Sequence, residues 1–251
     1  MKKYLSLLLM AVGILVSNEP AKATVVFSDN FESGSWGAGW AMENWVVSAS
    51  TPILTTSGGP QTINPFPYNP GIMFGPNAVV QGEGGANQGT YVGKLYPDYG
   101  YEGNWANNSK DLIILKQHNT VTQNLLDIAA ESPDKTIRMN LDYKFQPTVG
   151  ATSGAFAYFS IYSSTWDHWY TERLALDFNG GDWGQASVAM GLTDQLGANI
   201  LYGVGVYAQN YSPNGLFIDN IVVASVPEPS VASLLGFGIF GLVATRLRRR
   251  S

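Results

Sequence analysis

The feature that most limits the possible folds is a series of short alternating runs in the second half of the chain. Beyond Asp111, apolar and polar residues alternate over strand-length runs, and turn-forming residues separate the runs. The runs predict strands at residues 113–122, 135–145, 155–162, 171–178, 185–192, 201–208 and 216–224. In the second of these, one face carries Ile137, Met139, Leu141 and Tyr143. Only residues 123–130 fit a helical turn, so the chain is predicted to be all-β.

The first half of the chain is less regular. Residues 24–31 and 90–95 have the alternation of strands, and three tryptophans follow the first of them within residues 36–45. Between residues 51 and 104, Pro, Gly and Asn predominate, which favours long loops over strands. About nine short strands, each with one apolar face, predict a single antiparallel β-sandwich.

Composition limits the chemistry of this domain. The chain contains no cysteine, so disulfides, thiol nucleophiles and Cys-based zinc sites are excluded. Residues 24–225 carry seven basic and seventeen acidic side chains. An acidic, aromatic-rich domain argues against a nucleic-acid partner, because phosphates require basic surfaces.

The first 23 residues have the pattern of a secretory signal peptide. Two lysines precede an apolar run at residues 5–16, which is too short to span a bilayer. The small residues Ala21 and Ala23 fit a signal-peptidase site, so the mature chain is predicted to begin at Thr24. The predicted partners are the secretion translocon and signal peptidase. The alternative, an uncleaved N-terminal anchor, is disfavoured by Pro20 and the small residues.

The C-terminal segment, residues 226–251, has three consecutive parts. The motif Val226-Pro227-Glu228-Pro229 is followed by an apolar stretch at residues 231–245 and by a basic end. The basic end contains Arg246, Arg248, Arg249 and Arg250. Arginines after a hydrophobic run hold that end in the cytoplasm. About 14 apolar residues form about 21 Å of helix against about 30 Å of hydrocarbon, which predicts a short transmembrane helix and a weak anchor.

These three parts, in this order, resemble the sorting signal of PEP-CTERM proteins. The resemblance covers residues 226–251 only. It implies that an exosortase, a membrane transpeptidase-like enzyme, processes the chain near Pro227-Glu228-Pro229. It also implies transient anchoring in the inner membrane, and then a place at the cell surface or in an extracellular polysaccharide matrix. The expected organisation is a signal peptide (1–23), a β-sandwich domain (24–225) and a sorting signal (226–251).

The central domain opens with Phe31-Glu32-Ser33-Gly34 and closes with Phe217-Ile218-Asp219-Asn220-Ile221. It resembles, loosely and over its whole length, the jelly-roll carbohydrate-binding and galactose-binding-like domains. In those folds the first and last strands are neighbours. A structural calcium ion often lies beside the opening turn, which implies Asn30, Glu32 and Asp219 as its ligands. Oxygen atoms of these kinds are what calcium prefers.

Alternatives to both parts of this resemblance stay open. A concanavalin-like sandwich is the rival fold. For the proposed ligands, the rival interpretation is that Glu32 is a turn residue and that Asp219 bonds the backbone.

Two aromatic segments are candidate glycan-binding loops, at residues 96–105 and 166–170. Their candidate ligand-binding residues are Tyr99, Tyr101, Trp105, Trp166 and Trp169. Sugar rings present C–H faces to aromatic planes and hydroxyls to short polar side chains, and both segments mix these residue types. The alternative role of each ring is packing in the core.

Enzyme signatures are absent from the sequence. His118 and His168 are too few for a histidine metal site, and neither a Gly-x-Ser-x-Gly nor a His-Glu-x-x-His motif occurs. Glycosidases need only two carboxylates, for which the candidates are Glu102, Asp167, Glu172 and Asp177. The expected function is therefore a non-catalytic domain that associates with exopolysaccharide. A secreted polysaccharide hydrolase or lyase and a protein-binding adhesin are the alternatives.

Overall fold

The computed structural model describes residues 23–48, 78–95, 109–146, 153–163, 168–208 and 215–225. Within these ranges the chain forms eleven strands and one helix. The strands are β1 (Val25–Asp29), β2 (Trp40–Ser48), β3 (Ala78–Gln81), β4 (Tyr91–Leu95), β5 (Ser109–Thr120), β6 (Thr136–Phe145), β7 (Ser153–Ser163), β8 (His168–Leu176), β9 (Gly184–Gly191), β10 (Asn199–Ala208) and β11 (Leu216–Ser225). The helix is α1 (Gln123–Ala129).

The strands form two antiparallel sheets. The six-stranded sheet has the order β3-β4-β11-β6-β9, with β1 also paired to β11. The five-stranded sheet has the order β2-β5-β10-β7-β8. The all-β, antiparallel prediction is thus confirmed. The expectation that the first and last strands are neighbours is confirmed as well, because Val25 pairs with Ala224 and Asp29 with Ile221.

The two sheets face each other across one hydrophobic core. Alternation places one face of each strand in this core, as the period-2 geometry of a strand requires. In β6 the core residues are Ile137, Met139, Leu141, Tyr143 and Phe145, which confirms the predicted face. In β7 they are Ala155, Ala157, Phe159 and Ile161, and in β10 they are Ile200, Tyr202, Val204 and Val206.

Helix α1 connects the two sheets at one pole of the sandwich, between β5 and β6. Thr122 caps it, because its side chain accepts the N–H of Leu125 at 3.2 Å. Leu125 and Ala129 bury one side of the helix against the core. The predicted helical turn is therefore present, and it ends one residue earlier than the sequence suggested.

The structure adds two strands that were not predicted, β2 and β3, and it changes both predicted ends of β8. Strand β2 starts at Trp40, inside the tryptophan-rich segment, where Trp40 and Met42 pack on the core. Strand β3 interrupts the Pro- and Gly-rich region that was predicted to be mostly loop. Strand β8 begins at His168 rather than Thr171, so Trp169 is a strand residue and not a loop residue. Phe178, which was predicted to end this strand, lies beyond it and is exposed.

The predicted export signals fall outside the described residues. This applies to Ala21 and the rest of the signal peptide before Ala23, to the Val226-Pro227-Glu228-Pro229 motif, and to the apolar stretch and arginines after it. In the ranges that the structure describes, no helix has the length and hydropathy needed to cross a bilayer.

Replacing Phe159 by alanine is expected to lower the free energy of unfolding by about 3–5 kcal/mol, because its fully buried ring would leave a cavity between the sheets. The matched control is Phe178→Ala, since the Phe178 side chain is 62% exposed. That variant should stay within about 0.5 kcal/mol of the parent. Urea unfolding of both variants is the measurement, and equal losses would contradict the placement of Phe159.

Candidate functional site

Strand β11 has a break in its pairing where the opening turn meets it. On one edge, β4 pairs with Leu216–Ile218 and β1 pairs with residues 221–224, so Asp219 and Asn220 lie between these two neighbours. On the other edge, a bulge after Asp219 shifts the register with β6. Asn220 adopts the left-handed conformation, with φ of 49°. The turn that follows β1 begins with Phe31, also left-handed at φ 56° and fully buried.

Asp219 is a buried acid in this gap, and its pKa is raised. Its side chain is 1% exposed, and burial raises its pKa to about 7. The neighbouring carboxylates of Asp142, Glu32 and Asp29 contribute to this rise in pKa, and the N–H of Asn220, 2.7 Å from Oδ1, opposes it. The backbone bond that was the alternative role of Asp219 is therefore present, but it uses only Oδ1.

The second oxygen of Asp219, Oδ2, is buried and has no hydrogen-bond partner. An unpaired buried carboxylate oxygen is costly, since it loses its water without gaining a donor. A proton or a cation would remove this cost.

The other three carboxylates are held by protein donors. Glu32 Oε1 accepts the N–H groups of Thr90 at 2.8 Å and Tyr91 at 2.9 Å, so Glu32 fastens the opening turn to the start of β4. Asp29 accepts from the Phe31 N–H and, at 2.8 Å, from the indole of Trp40. Asp142 accepts from the side-chain amides of Gln88, Gln185 and Asn220.

Among the residues predicted to bind calcium, the atom that best suits the ion is Asp219 Oδ2. Asp219 Oδ2 is a hard, anionic oxygen in acidic surroundings, which suits Ca²⁺. The Asn30 amide oxygen, in contrast, accepts the N–H of Glu32 at 3.4 Å in an exposed turn. Among the described residues, no three acidic or histidine side chains lie close enough to hold a metal together. A calcium ion here would thus use Asp219 and would take most of its other oxygens from backbone or water.

The outer side of the six-stranded sheet is closed by the loop between β3 and β4. Gln88 of this loop is buried on Asp142, at 2.8 Å. Glu83 forms an ion pair with the nearly buried Lys144 at 3.0 Å, and its carbonyl accepts the indole N–H of Trp183. The Lys144 ammonium also lies 4.5 Å from the centre of the Phe217 ring. These contacts cover the part of the face around Asp142, Lys144 and Phe217, whereas Asn140, Gln185 and Ser187 on the same face are exposed.

The outer side of the five-stranded sheet is aromatic. A second hydrophobic cluster there contains Leu112, Ile114, Phe156 and Tyr158, all buried. Phe156 lies over Gly205, its partner on β10, where an added Cβ would be 2.3 Å from the ring. Arg173 of β8 stacks on the same ring at 5.4 Å. This central part of the face is packed rather than open.

One end of the same face carries half-buried aromatic rings beside exposed polar residues. Trp169 of β8 and Tyr162 of β7 are directly paired, with ring centres 5.4 Å apart. The same row continues through Asn199 of β10 to Thr120 of β5, both exposed. In the next row the exposed His118 lies on β5. We call Trp169, Tyr162, Asn199, Thr120 and His118 the aromatic patch.

The patch contains one of the predicted ligand-binding residues, Trp169. Tyr99, Tyr101, Trp105 and Trp166 lie outside the described residues. Sequence analysis missed Tyr162 and Asn199, although alternation along β7 already separates the even-numbered residues from the core. The alternative role of tryptophan, core packing, applies to two others, Trp36 and Trp40, which pack against the core and contact Phe31.

The candidate catalytic carboxylates do not meet at the patch. Glu172 pairs with the core residue Phe159 and so projects to the opposite face of the sheet from Trp169. Asp177 follows the end of β8 and is exposed, whereas Glu102 and Asp167 lie outside the described residues. The two rows of the patch, as far as they are described, contain no carboxylate.

Comparison with solved structures finds carbohydrate-binding modules. The chain is similar to the CBM22-1 xylan-binding domain of Paenibacillus barcinonensis Xyn10C, at 11% identity over 82% of this chain and 97% of that one, with a TM-score of 0.43. It is also similar to the C-terminal family 22 carbohydrate-binding module of Clostridium thermocellum Xyn10B, at 12% identity over 84% and 100%, with a TM-score of 0.41. A third is the mannan-recognising module TmCBM27, at 13% identity over 82% and 99%, with a TM-score of 0.35.

Neither the protein-family models nor the curated proteins include a match to this sequence. The assignment as a β-sandwich rests on the strand pairing and the shared core described above.

Proposed function

We propose that residues 24–225 form a non-catalytic glycan-binding domain whose ligand lies on the aromatic patch. The observation that carries this proposal is the pair formed by Trp169 and Tyr162, two half-buried rings 5.4 Å apart on one sheet face. Such a pair offers an apolar surface to the C–H faces of a sugar ring. Exposed Asn199 and Thr120, in the same row, supply hydrogen-bonding groups for its hydroxyls.

The layout of the patch suits an extended chain rather than a small molecule. It runs across four neighbouring strands, β8, β7, β10 and β5, which are spaced about 4.8 Å apart. The row is therefore roughly 15 Å long, and several sugar units of a polysaccharide fit such a length. Because the described rows contain no carboxylate, binding without cleavage is favoured over hydrolysis.

Trp169→Ala is expected to weaken polysaccharide binding about tenfold, because it removes the larger of the two rings. Affinity electrophoresis in gels that contain xylan, mannan or an acidic exopolysaccharide measures the effect. Xylan and mannan come first because proteins of similar structure are named for recognising them.

The matched control is Trp183→Ala, since Trp183 lies on the six-stranded sheet side and bonds Glu83. This variant should migrate like the parent once circular dichroism has shown that both variants are folded. Retardation that is the same for the parent and Trp169→Ala, or no retardation by any polymer, would refute the patch. Release of reducing ends would instead favour the hydrolase.

We also propose that the protein is exported and sorted as its two terminal segments predict. One support is the order of the Val226-Pro227-Glu228-Pro229 motif, the apolar stretch and the arginines. The other is that the strands of the folded domain begin just after Thr24. In this scheme the domain crosses the inner membrane, is anchored briefly by residues 231–245, and is released or attached at the surface by an exosortase.

In a host that has an exosortase, the recovered protein should begin at Thr24 and should lack the arginine-rich end. N-terminal sequencing and intact mass of the surface fraction provide the test. Changing Arg246, Arg248, Arg249 and Arg250 together to glutamine should leave the tail unprocessed, because nothing would then stop its transfer across the membrane. A cytoplasmic product with both Met1 and Ser251 intact would refute the proposal.

A third proposal concerns calcium as a structural ion at Asp219. The support is the buried Oδ2 without a donor, together with the acidic surroundings of Glu32 and Asp29. A divalent cation would supply the missing positive charge and would join the opening turn to the last strand. The chain's own part in this is to hold the Asp219 carboxylate in place, which the Asn220 N–H does through Oδ1.

Calcium is expected to raise the melting temperature of the parent protein by about 5 °C, and to leave Asp219→Asn unchanged. In chelator the folded Asp219 has a pKa of about 7, against about 4 in the unfolded chain. At pH values between these two pKa values, the folded state binds a proton that the unfolded chain has lost. The free energy of unfolding therefore falls as the pH rises through this range. Asp219→Asn should abolish this fall and be more stable than the parent above pH 7 by about 1–3 kcal/mol.

Asp182→Asn, at an exposed position, is the control for the change of charge. It should keep both the calcium response and the pH response. A parent protein whose melting temperature does not respond to calcium would refute the metal site, and the pH response in chelator would then test the buried acid alone.

A further inference from the structure

The two ends of the domain are joined at one point. The N–H of Ser225 donates to the carbonyl of Thr24 at 3.1 Å, and the N–H of Thr24 donates to the Ser225 hydroxyl at 2.9 Å. Both residues also bond one carboxylate, that of Glu131, which follows helix α1. The Thr24 hydroxyl donates to Glu131 Oε1 at 2.7 Å, and the Ser225 hydroxyl donates to Oε2. We call Thr24, Ser225 and Glu131 the terminal clamp.

Thr24 is also the residue at which the mature chain is predicted to begin. In the precursor, its nitrogen is an amide with one hydrogen. Hydrolysis of the Ala23–Thr24 peptide bond consumes one water and leaves a carboxylate on Ala23 and an α-amino group on Thr24. That amine is largely protonated at neutral pH, so the same nitrogen then carries three donors and a positive charge.

The clamp already has the acceptors for such a group. One N–H of the new ammonium group keeps the hydrogen bond to the Ser225 hydroxyl oxygen. The Glu131 carboxylate is the only titratable member of the clamp, and hydrogen bonds from Ser225 and Thr24, including the Thr24 backbone N–H, hold its pKa below the ordinary value. It is therefore ionised at neutral pH and sits within reach of the new charge.

We propose that signal-peptide cleavage completes the terminal clamp, because the freed α-ammonium of Thr24 binds the Glu131 carboxylate and the Ser225 hydroxyl. The inference rests on the proposed export function, which supplies the cleavage after Ala23. It adds a binding site for the protein's own processed N-terminus. Removal of the signal peptide then strengthens the contact that closes the domain.

The surroundings leave this charge pair without a strong competitor among the described residues. On β6, the backbone of Ile137 pairs with Ser225, and the next residue, Arg138, pairs with Ala224. Its guanidinium is directed to Ser187, at 3.4 Å, and it lowers the pKa of Asp134 rather than that of Glu131. The remaining acid of α1, Asp127, accepts from Gln123.

The clamp acts on a weak part of the fold. Strand β1 has only five residues, and its described pairing is with β11 alone. A short strand held on one edge frays easily, so a charge-assisted bond at its first residue has a measurable effect. In the precursor, the same position has only a neutral amide.

The test compares two mature chains that differ by one residue, one starting at Thr24 and one starting at Ala23, both ending at Ser251. Each is released from a leader by a protease that leaves no extra residue. The rate at which cyanate carbamylates the α-amine near neutral pH is read from the mass of the N-terminal peptide. Only the neutral amine reacts, so an ion pair slows the reaction.

In the chain that starts at Thr24, Glu131→Gln should speed carbamylation about fivefold, because it removes the anion that stabilises the ammonium. In the chain that starts at Ala23, the same substitution should change the rate less than twofold, because the amine is displaced by one residue, about 3.8 Å. The melting temperature should follow the same pattern. If Glu131 had only a structural role, Glu131→Gln would lower the melting temperature equally in both chains.

Asp127→Asn, an exposed acid on α1, is the matched control and should alter neither rate. Equal rates for glutamate and glutamine at position 131 in the Thr24 chain would overturn the clamp while leaving the export proposal intact. A secreted protein that begins at a residue other than Thr24 would overturn the cleavage site on which the inference rests. The two failures are therefore distinguishable.

Discussion

The structure depends above all on the pairing of the last strand, β11. It pairs with β6 along one edge and with both β4 and β1 along the other, and it contributes Leu216, Ile218, Ile221 and Val223 to the core. The contact between its last residue and Thr24 spans 201 positions of sequence. Contacts of such long range have a large entropic cost of loop closure, which only the burial of apolar surface offsets. The six-stranded sheet therefore closes only when the whole domain is available.

The same strand explains why polar chemistry collects at one place. Because β4 and β1 share an edge of β11 end to end, the junction between them has no continuous ladder of backbone bonds. The bulge after Asp219 and the left-handed Asn220 occur at this junction, and side chains replace the missing ladder bonds: Glu32 holds the start of β4, and Asn220 reaches Asp142. The cost is the buried Oδ2 of Asp219, and a cation would compensate for it.

Sequence analysis predicted features that depend on a single strand, and it missed features that depend on how several strands pair. The core face of β6 follows from alternation alone and was predicted, and the core faces of β7 and β10 obey the same alternation. Strand β3 has four residues in a Pro- and Gly-rich region, too few for a pattern. The aromatic patch depends on the register between β8, β7 and β10, and Glu32 depends on partners 58 and 59 positions away. Neither relation is visible in a local pattern, although Glu32 and Trp169 were identified by residue type.

The connectivity places the aromatic patch and the chain ends at the same pole of the sandwich. The patch residue Thr120 ends β5, helix α1 follows directly, and Glu131 of the terminal clamp comes just after the helix. Asn199 of the patch starts β10 beside the turn that bonds Val121. The segment proposed as a sorting signal begins after Ser225, and Ser225 lies at this pole but in the opposite sheet. If both proposals hold, a tether that begins after Ser225 and a glycan bound at the aromatic patch would lie at the same end of the domain.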